Sequence, residues 1–120
     1  MVQAAIKIVE QEAAVIDRGQ LAHMTFGDRD LEREVLQLFD RQAAMLIVRM
    51  RAGGPAALAP LAHTLKGSAS GVGASRVVNA AAAAERVIDA TPGDCSLAID
   101  RLAQAVDEAR ALIAELLGER

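Results

Sequence analysis

The chain has 120 residues, with 13 Lys and Arg against 16 Asp and Glu for a net charge of −3, so its length is that of one ordinary domain. Hydrophobic residues make up 52% but aromatics only 2%, which leaves Ala, Leu, Val and Ile to supply the core and excludes an all-β sandwich or barrel. The mild acidity and the two phenylalanines also argue against nucleic-acid binding, which usually brings a basic excess and stacking aromatics.

Gln3 to Val15 is an apolar-rich first segment, and Asp17 is placed to cap a short helix from about Arg18 to Met24. Thr25, Phe26 and Gly27 break it. Asp28 and Asp30 then put negative charge at the start of a longer helix that runs to about Arg51, with basic residues in its last turns. Gly53, Gly54 and Pro55 end that helix. The next segment closes at Gly71, Val72 and Gly73, but its start is ambiguous. Pro60 removes a backbone hydrogen bond from any helix already begun at Pro55, so either a kink or a start near Ala59 is expected.

Ser75 is placed to cap a fourth segment reaching about Asp89, and Thr91, Pro92 and Gly93 form the following turn. Asp94 or Ser96 opens the last helix, in which Ile99, Leu102, Val106, Ala109, Ile113 and Leu116 recur at spacings of three and four. Short connections between long amphipathic helices favour antiparallel neighbours. The expected fold is therefore all-α, an up-and-down antiparallel four-helix bundle with one or two short additional N-terminal helices, forming one domain over residues 1–120. The run Ala80 to Ala84 reads as a helix face kept thin for close approach of a neighbour.

The single Cys95 cannot form an internal disulfide and no Cys-x-x-Cys spacing is present, so it is expected to be a free, half-buried thiol in a reduced, cytoplasmic protein. No apolar run approaches the roughly 20 residues of a membrane span, and the N-terminus lacks the form of a signal peptide. A soluble intracellular protein with no membrane partner is the expectation. His23 reads as surface, Arg29, Glu32, Arg33 and Arg41 as a mostly solvated face, and no spacing joins His23, His63 and Cys95 into a zinc site.

The chemically informative stretch is Leu61 to Gly73. At about 100° per residue, Leu58, Leu61, Leu65, Ala69 and Val72 gather in one apolar sector and His63 lies nearly opposite its centre. Ala59, Lys66, Gly67 and Ser70 share the histidine's face. A glycine inside a helix costs roughly 1 kcal/mol relative to alanine, and an outward-facing one brings no packing benefit. Its benefit is access: a bare patch lets another protein approach the imidazole, with Lys66 beside it to offset the charge of an attached anion.

The residues His63-Thr64-Leu65-Lys66-Gly67-Ser68-Ala69 resemble the motif of the histidine-containing phosphotransfer, or HPt, domain of bacterial multistep phosphorelays. Gly27 to Phe39 looks like that family's preceding helix, Gly73 sits where its motif helix ends, and Glu85 matches an acidic position in the next helix, so the resemblance covers about residues 15–117. It departs from the pattern in having Val77 where a leucine is usual and alanines where larger residues are frequent, both matters of packing.

The resemblance implies that His63 is phosphorylated, that Lys66 supports the phosphoryl group and that Gly67 leaves room for a docking receiver domain. Ala59, Ser68 and Ser70 are further candidates for the partner surface, with Leu36 and Phe39 as candidates for its apolar border. Neutral imidazole attacks an acyl phosphate without a base, and the family pattern assigns the attack to Nε2. The group would come from a receiver aspartate and pass to another, in a response regulator or a hybrid histidine kinase. The Mg²⁺ would belong to the receiver, this chain needing no cofactor or metal of its own.

Other readings are weaker. Gly67 to Gly73 is glycine-rich, but no Gly-Lys-Ser/Thr closes it and no strand precedes it, so it is not a P-loop. With no room for an ATP-binding domain the chain is not an autokinase, and it is expected to be a monomeric phosphocarrier rather than an enzyme. The alternative is a helical interaction module that binds a receiver or kinase without phosphotransfer.

Overall fold

The structure, a computed structural model, describes residues 14–91 and 93–118. Among these are five helices and no strand: α1 (Arg18–Met24), α2 (Arg29–Ala52), α3 (Pro55–Gly71), α4 (Ser75–Ala90) and α5 (Ser96–Gly118). Helices α2 to α5 pack in a ring, each against its neighbours in sequence and α5 back against α2, with α3 and α4 in the most extensive contact. This is the expected up-and-down bundle. Of the two short N-terminal helices allowed for, α1 is described, while Gln3 to Val15 lies almost wholly outside the described residues.

Local chemistry sets most helix ends. Asp17 accepts a hydrogen bond from Gln20 N at 3.0 Å to start α1, and Asp28 accepts from Leu31 N at 3.1 Å to start α2. Pro55 occupies the first turn of α3, where its missing N–H is no loss, and the helix continues through Pro60. The ambiguity at this helix thus resolves in favour of the earlier start. The carbonyl that Pro60 leaves without its usual donor belongs to Ala56, an exposed residue open to water.

Ser75 does not cap α4: the cap position is Ala74, which makes no side-chain bond, and Ser75 is the first helical residue. The tight turn at Gly73 is the reason, since it already brings Ser75 N within 2.9 Å of Gly73 O. Gly73 has φ +73°, and a Cβ there would sit 2.9 Å from Asp17 O. Its own carbonyl accepts from Asp17 N at 2.8 Å, and Gln20 Nε2 donates to Ser70 O at 2.9 Å, so α1 is tied to the end of the motif helix.

Small side chains let α3 and α4 approach: Ala62 and Ala69 from one and Ala81 and Ala84 from the other are all buried. Leu65, Val77, Leu102, Val106 and Ile113 fill the middle of the bundle. Cys95 is buried rather than half-buried, its Sγ donating to Thr91 O at 3.3 Å. Arg33 is no simple solvated charge either, because it reaches the end of α5 and donates to Leu117 O at 3.0 Å. Ion pairs Asp40–Arg110 and Arg51–Asp100 fasten α2 to α5 in antiparallel register.

Candidate functional site

Along α3, Leu58, Ala62, Leu65 and Ala69 form the buried stripe, which turns His63 outward. Its side chain is 73% exposed. The ring leans toward α4: His63 Nδ1 lies 3.7 Å from Glu85 Oε1, and Lys66 Nζ lies 3.0 Å from the same oxygen. At 3.7 Å the carboxylate is too far for a hydrogen bond but close enough for its charge to favour an N–H on Nδ1. Nε2 lies on the far side of the ring from that carboxylate.

Glu85 Oε1 is closed off from solvent and has no aligned hydrogen bond, so the ammonium at 3.0 Å is a contact of charge rather than a directed bond. Both partners are about a quarter to a third exposed. Lys66 therefore does not wave freely beside His63 but rests against Glu85 of α4.

Gly67 follows His63 by one turn, and a Cβ built on it meets nothing within 4 Å. Neither internal packing nor a positive φ requires glycine there. Ser68 lies on the flank toward α2 and donates to Gln42 Oε1 at 3.1 Å. Ser70 is exposed and Ala59 is partly buried against the core. His63, Lys66 and Glu85 are thus brought together on the α4 side, while Ser68 and Gln42 mark the α2 side.

Leu36 and Phe39, the candidate apolar border, are core residues with 4% and 2% exposure. They lie on the seam that continues through Ala43, Leu46 and Met50, which points into the bundle. The large apolar side chains that α2 exposes are Leu38, Met45 and Val48, of which Leu38 and Met45 flank Gln42. They sit four residues before and three after Gln42, on one helical stripe, and the bond from Ser68 holds that stripe against the motif helix.

Two features of the site escaped sequence reasoning. Glu85 was matched as an acidic position but not joined to His63 and Lys66, and the Leu38–Gln42–Met45 stripe was missed because the α2–α3 register was unknown. Among the described residues no group of three His, Cys, Asp or Glu side chains is placed to hold a metal ion, and no helix is long and apolar enough to cross a membrane.

Comparison with curated proteins and with solved structures gives no match. The family model for the Hpt domain, however, matches residues 31–117, which span α2 to α5 and include the exposed histidine, the lysine and the glycine described above. Domains of this family are phosphocarriers rather than kinases, and act with receiver domains in phosphorelays. With that match over most of its length, this bundle carrying His63 on its outer face belongs to the Hpt-domain family.

Proposed function

We propose that His63 is the phosphoryl acceptor of a bacterial phosphorelay, taking the group from the aspartate of one receiver domain and passing it to that of another. The observation that carries this reading is the orientation of the imidazole, exposed and with Nδ1 toward Glu85, so that Nε2 points to where a partner would dock. Nε2 attacks phosphorus, the P–N bond forms, and the P–O bond to the receiver aspartate breaks as the carboxylate leaves with its electron pair. The proton stays on Nδ1. The ring gains positive charge in this step, and Glu85 lies where it offsets that charge.

Lys66 then exchanges its contact with Glu85 for the phosphoryl oxygens, a short movement for a flexible side chain. Gly67 leaves the approach open, and the exposed Leu38 and Met45 supply the apolar rim for the receiver, with Ala59, Ser68 and Ser70 around the histidine. Mg²⁺ is supplied by the receiver's own acidic cluster, and this chain contributes positioning and charge rather than a nucleotide or metal site.

The test is incubation with a receiver domain carrying labelled phosphate on its aspartate, in the presence of Mg²⁺. Label is expected to appear on this protein, to be acid-labile and base-stable, and to be absent with His63→Gln. Stable binding of the receiver with no transfer would establish the non-catalytic interaction module instead.

A further inference from the structure

Charge is unevenly divided along the chain. Between Val35 and Gly71, a stretch that covers most of α2 and all of α3, there are four basic residues and one acidic, against 9 basic and 15 acidic in the remaining 83 residues. Asp40 and Arg51 turn toward α5, where they pair with Arg110 and Asp100, and Lys66 rests against Glu85. Arg41 and Arg49 remain. Both are exposed, and neither guanidinium is in an ion pair or hydrogen bond with a described residue.

Leu38, Arg41, Met45, Val48 and Arg49 follow one another at helical spacing on the face of α2 opposite its buried seam of Leu36, Phe39, Ala43, Leu46 and Met50, and all five are exposed. Gln42, bonded to Ser68, borders this stripe and joins it to the motif helix. Folding gains little from the stripe. Arg49, in the last turn of α2, is favoured by the helix C-terminus, but Arg41 in its middle is not, and the three large apolar side chains left in water add nothing to the core. Apolar groups set between charges have the composition of a docking surface, an apolar centre with a polar rim.

We propose that this stripe selects, among receiver domains, those whose docking face carries carboxylates opposite Arg41 and Arg49, with Leu38, Met45 and Val48 packing between the two contacts. The inference rests on the reading of this face as the place where a receiver docks. A receiver's phosphorylation site is itself built of carboxylates, which hold Mg²⁺, and it carries a phosphoryl dianion, so a cationic face on an otherwise acidic chain orients the partner on approach. The two arginines are eight residues apart, about 12 Å along the helix, and the matching carboxylates should be spaced likewise. Receivers with basic residues at those places are repelled.

The test is stopped-flow association of the full chain with a panel of receiver domains that differ in surface charge, at about 20 and 500 mM salt. Receivers with the opposed carboxylates should associate fastest, and the higher salt should slow them about tenfold or more. Arg41→Glu with Arg49→Glu should slow association about tenfold at low salt and hardly at all at high salt. Arg41→Gln with Arg49→Gln should give a smaller loss in the same direction, with thermal melting showing that both variants are folded. Replacing the receiver's opposed carboxylates by lysine should restore the rate of the charge-reversed variant. Unchanged rates in the charge-reversed variant, an equal loss at both salt concentrations, or rates unrelated to receiver charge would overturn the proposal, as would binding by no receiver. Phosphoramidate, a small donor that needs no docking, tests the acceptor reading separately on the unsubstituted protein. Failure to label His63 would remove phosphotransfer and leave the charge selection standing, whereas labelling without any charge effect on association would do the reverse.

Discussion

Lys66 on α3 and Glu85 on α4 meet at 3.0 Å, and the oxygen they share is also the one nearest to His63 Nδ1. One carboxylate therefore holds the resting position of the cation and the orientation of the imidazole. Glu85→Gln keeps the shape and removes the charge. Transfer to His63 should slow about tenfold, equivalent to about 1.4 kcal/mol in the barrier, as measured by single-turnover transfer from a phosphorylated receiver. An unchanged rate would remove Glu85 from the mechanism.

Gly67 faces open space, so it separates folding from access. Gly67→Ala should raise stability by about 0.5–1 kcal/mol in urea denaturation, the ordinary gain of alanine over glycine within a helix. Gly67→Arg should leave the bundle folded yet abolish most transfer by covering the approach to His63. Unimpaired transfer in the arginine variant would refute the assignment of this glycine to access.

Gly73 behaves in the opposite way. Its φ of +73° and the 2.9 Å approach of an added Cβ to Asp17 O leave no room for a side chain. Gly73→Ala should destabilise the protein by about 1–3 kcal/mol through backbone strain and loosening of the strap to α1. Urea denaturation measures this directly, and a neutral result would show that the turn relaxes freely.

On α2, the adjacent residues Leu38 and Phe39 differ sharply in burial. Phe39 is buried, and Phe39→Ala should lower stability by about 3–5 kcal/mol. Leu38 is exposed, and Leu38→Asp should leave stability within about 0.5 kcal/mol while weakening receiver binding severalfold. Denaturation and receiver-binding titrations on the two variants distinguish these effects. An unaltered receiver affinity in Leu38→Asp would place the docking rim elsewhere.

The helix ends were largely legible because chemistry confined to a few residues sets them: the Asp17 and Asp28 caps, the Gly53-Gly54-Pro55 break and the turn at Gly73. Ser75 was misread because a serine before a helix usually caps it, whereas here the Gly73 turn draws it into the first turn. The burial of Leu36 and Phe39 is legible in their spacing with Ala43, Leu46 and Met50, which places them on the inward seam. The exposure of His63 and the bareness at Gly67 followed from helical periodicity alone. The convergence of Lys66 and His63 on Glu85 did not, because it depends on how far α4 slides along α3, a register set by the alanines between them.

The most direct test of the account is to phosphorylate the protein, labelled with ¹⁵N at its histidines, from a receiver domain and to locate the phosphoryl group by long-range ¹H–¹⁵N NMR. The account predicts modification of His63 alone, at Nε2, with the proton retained on Nδ1 beside Glu85. Modification of His23, attachment at Nδ1 of His63, or no modification by a receiver shown to bind the protein would contradict it.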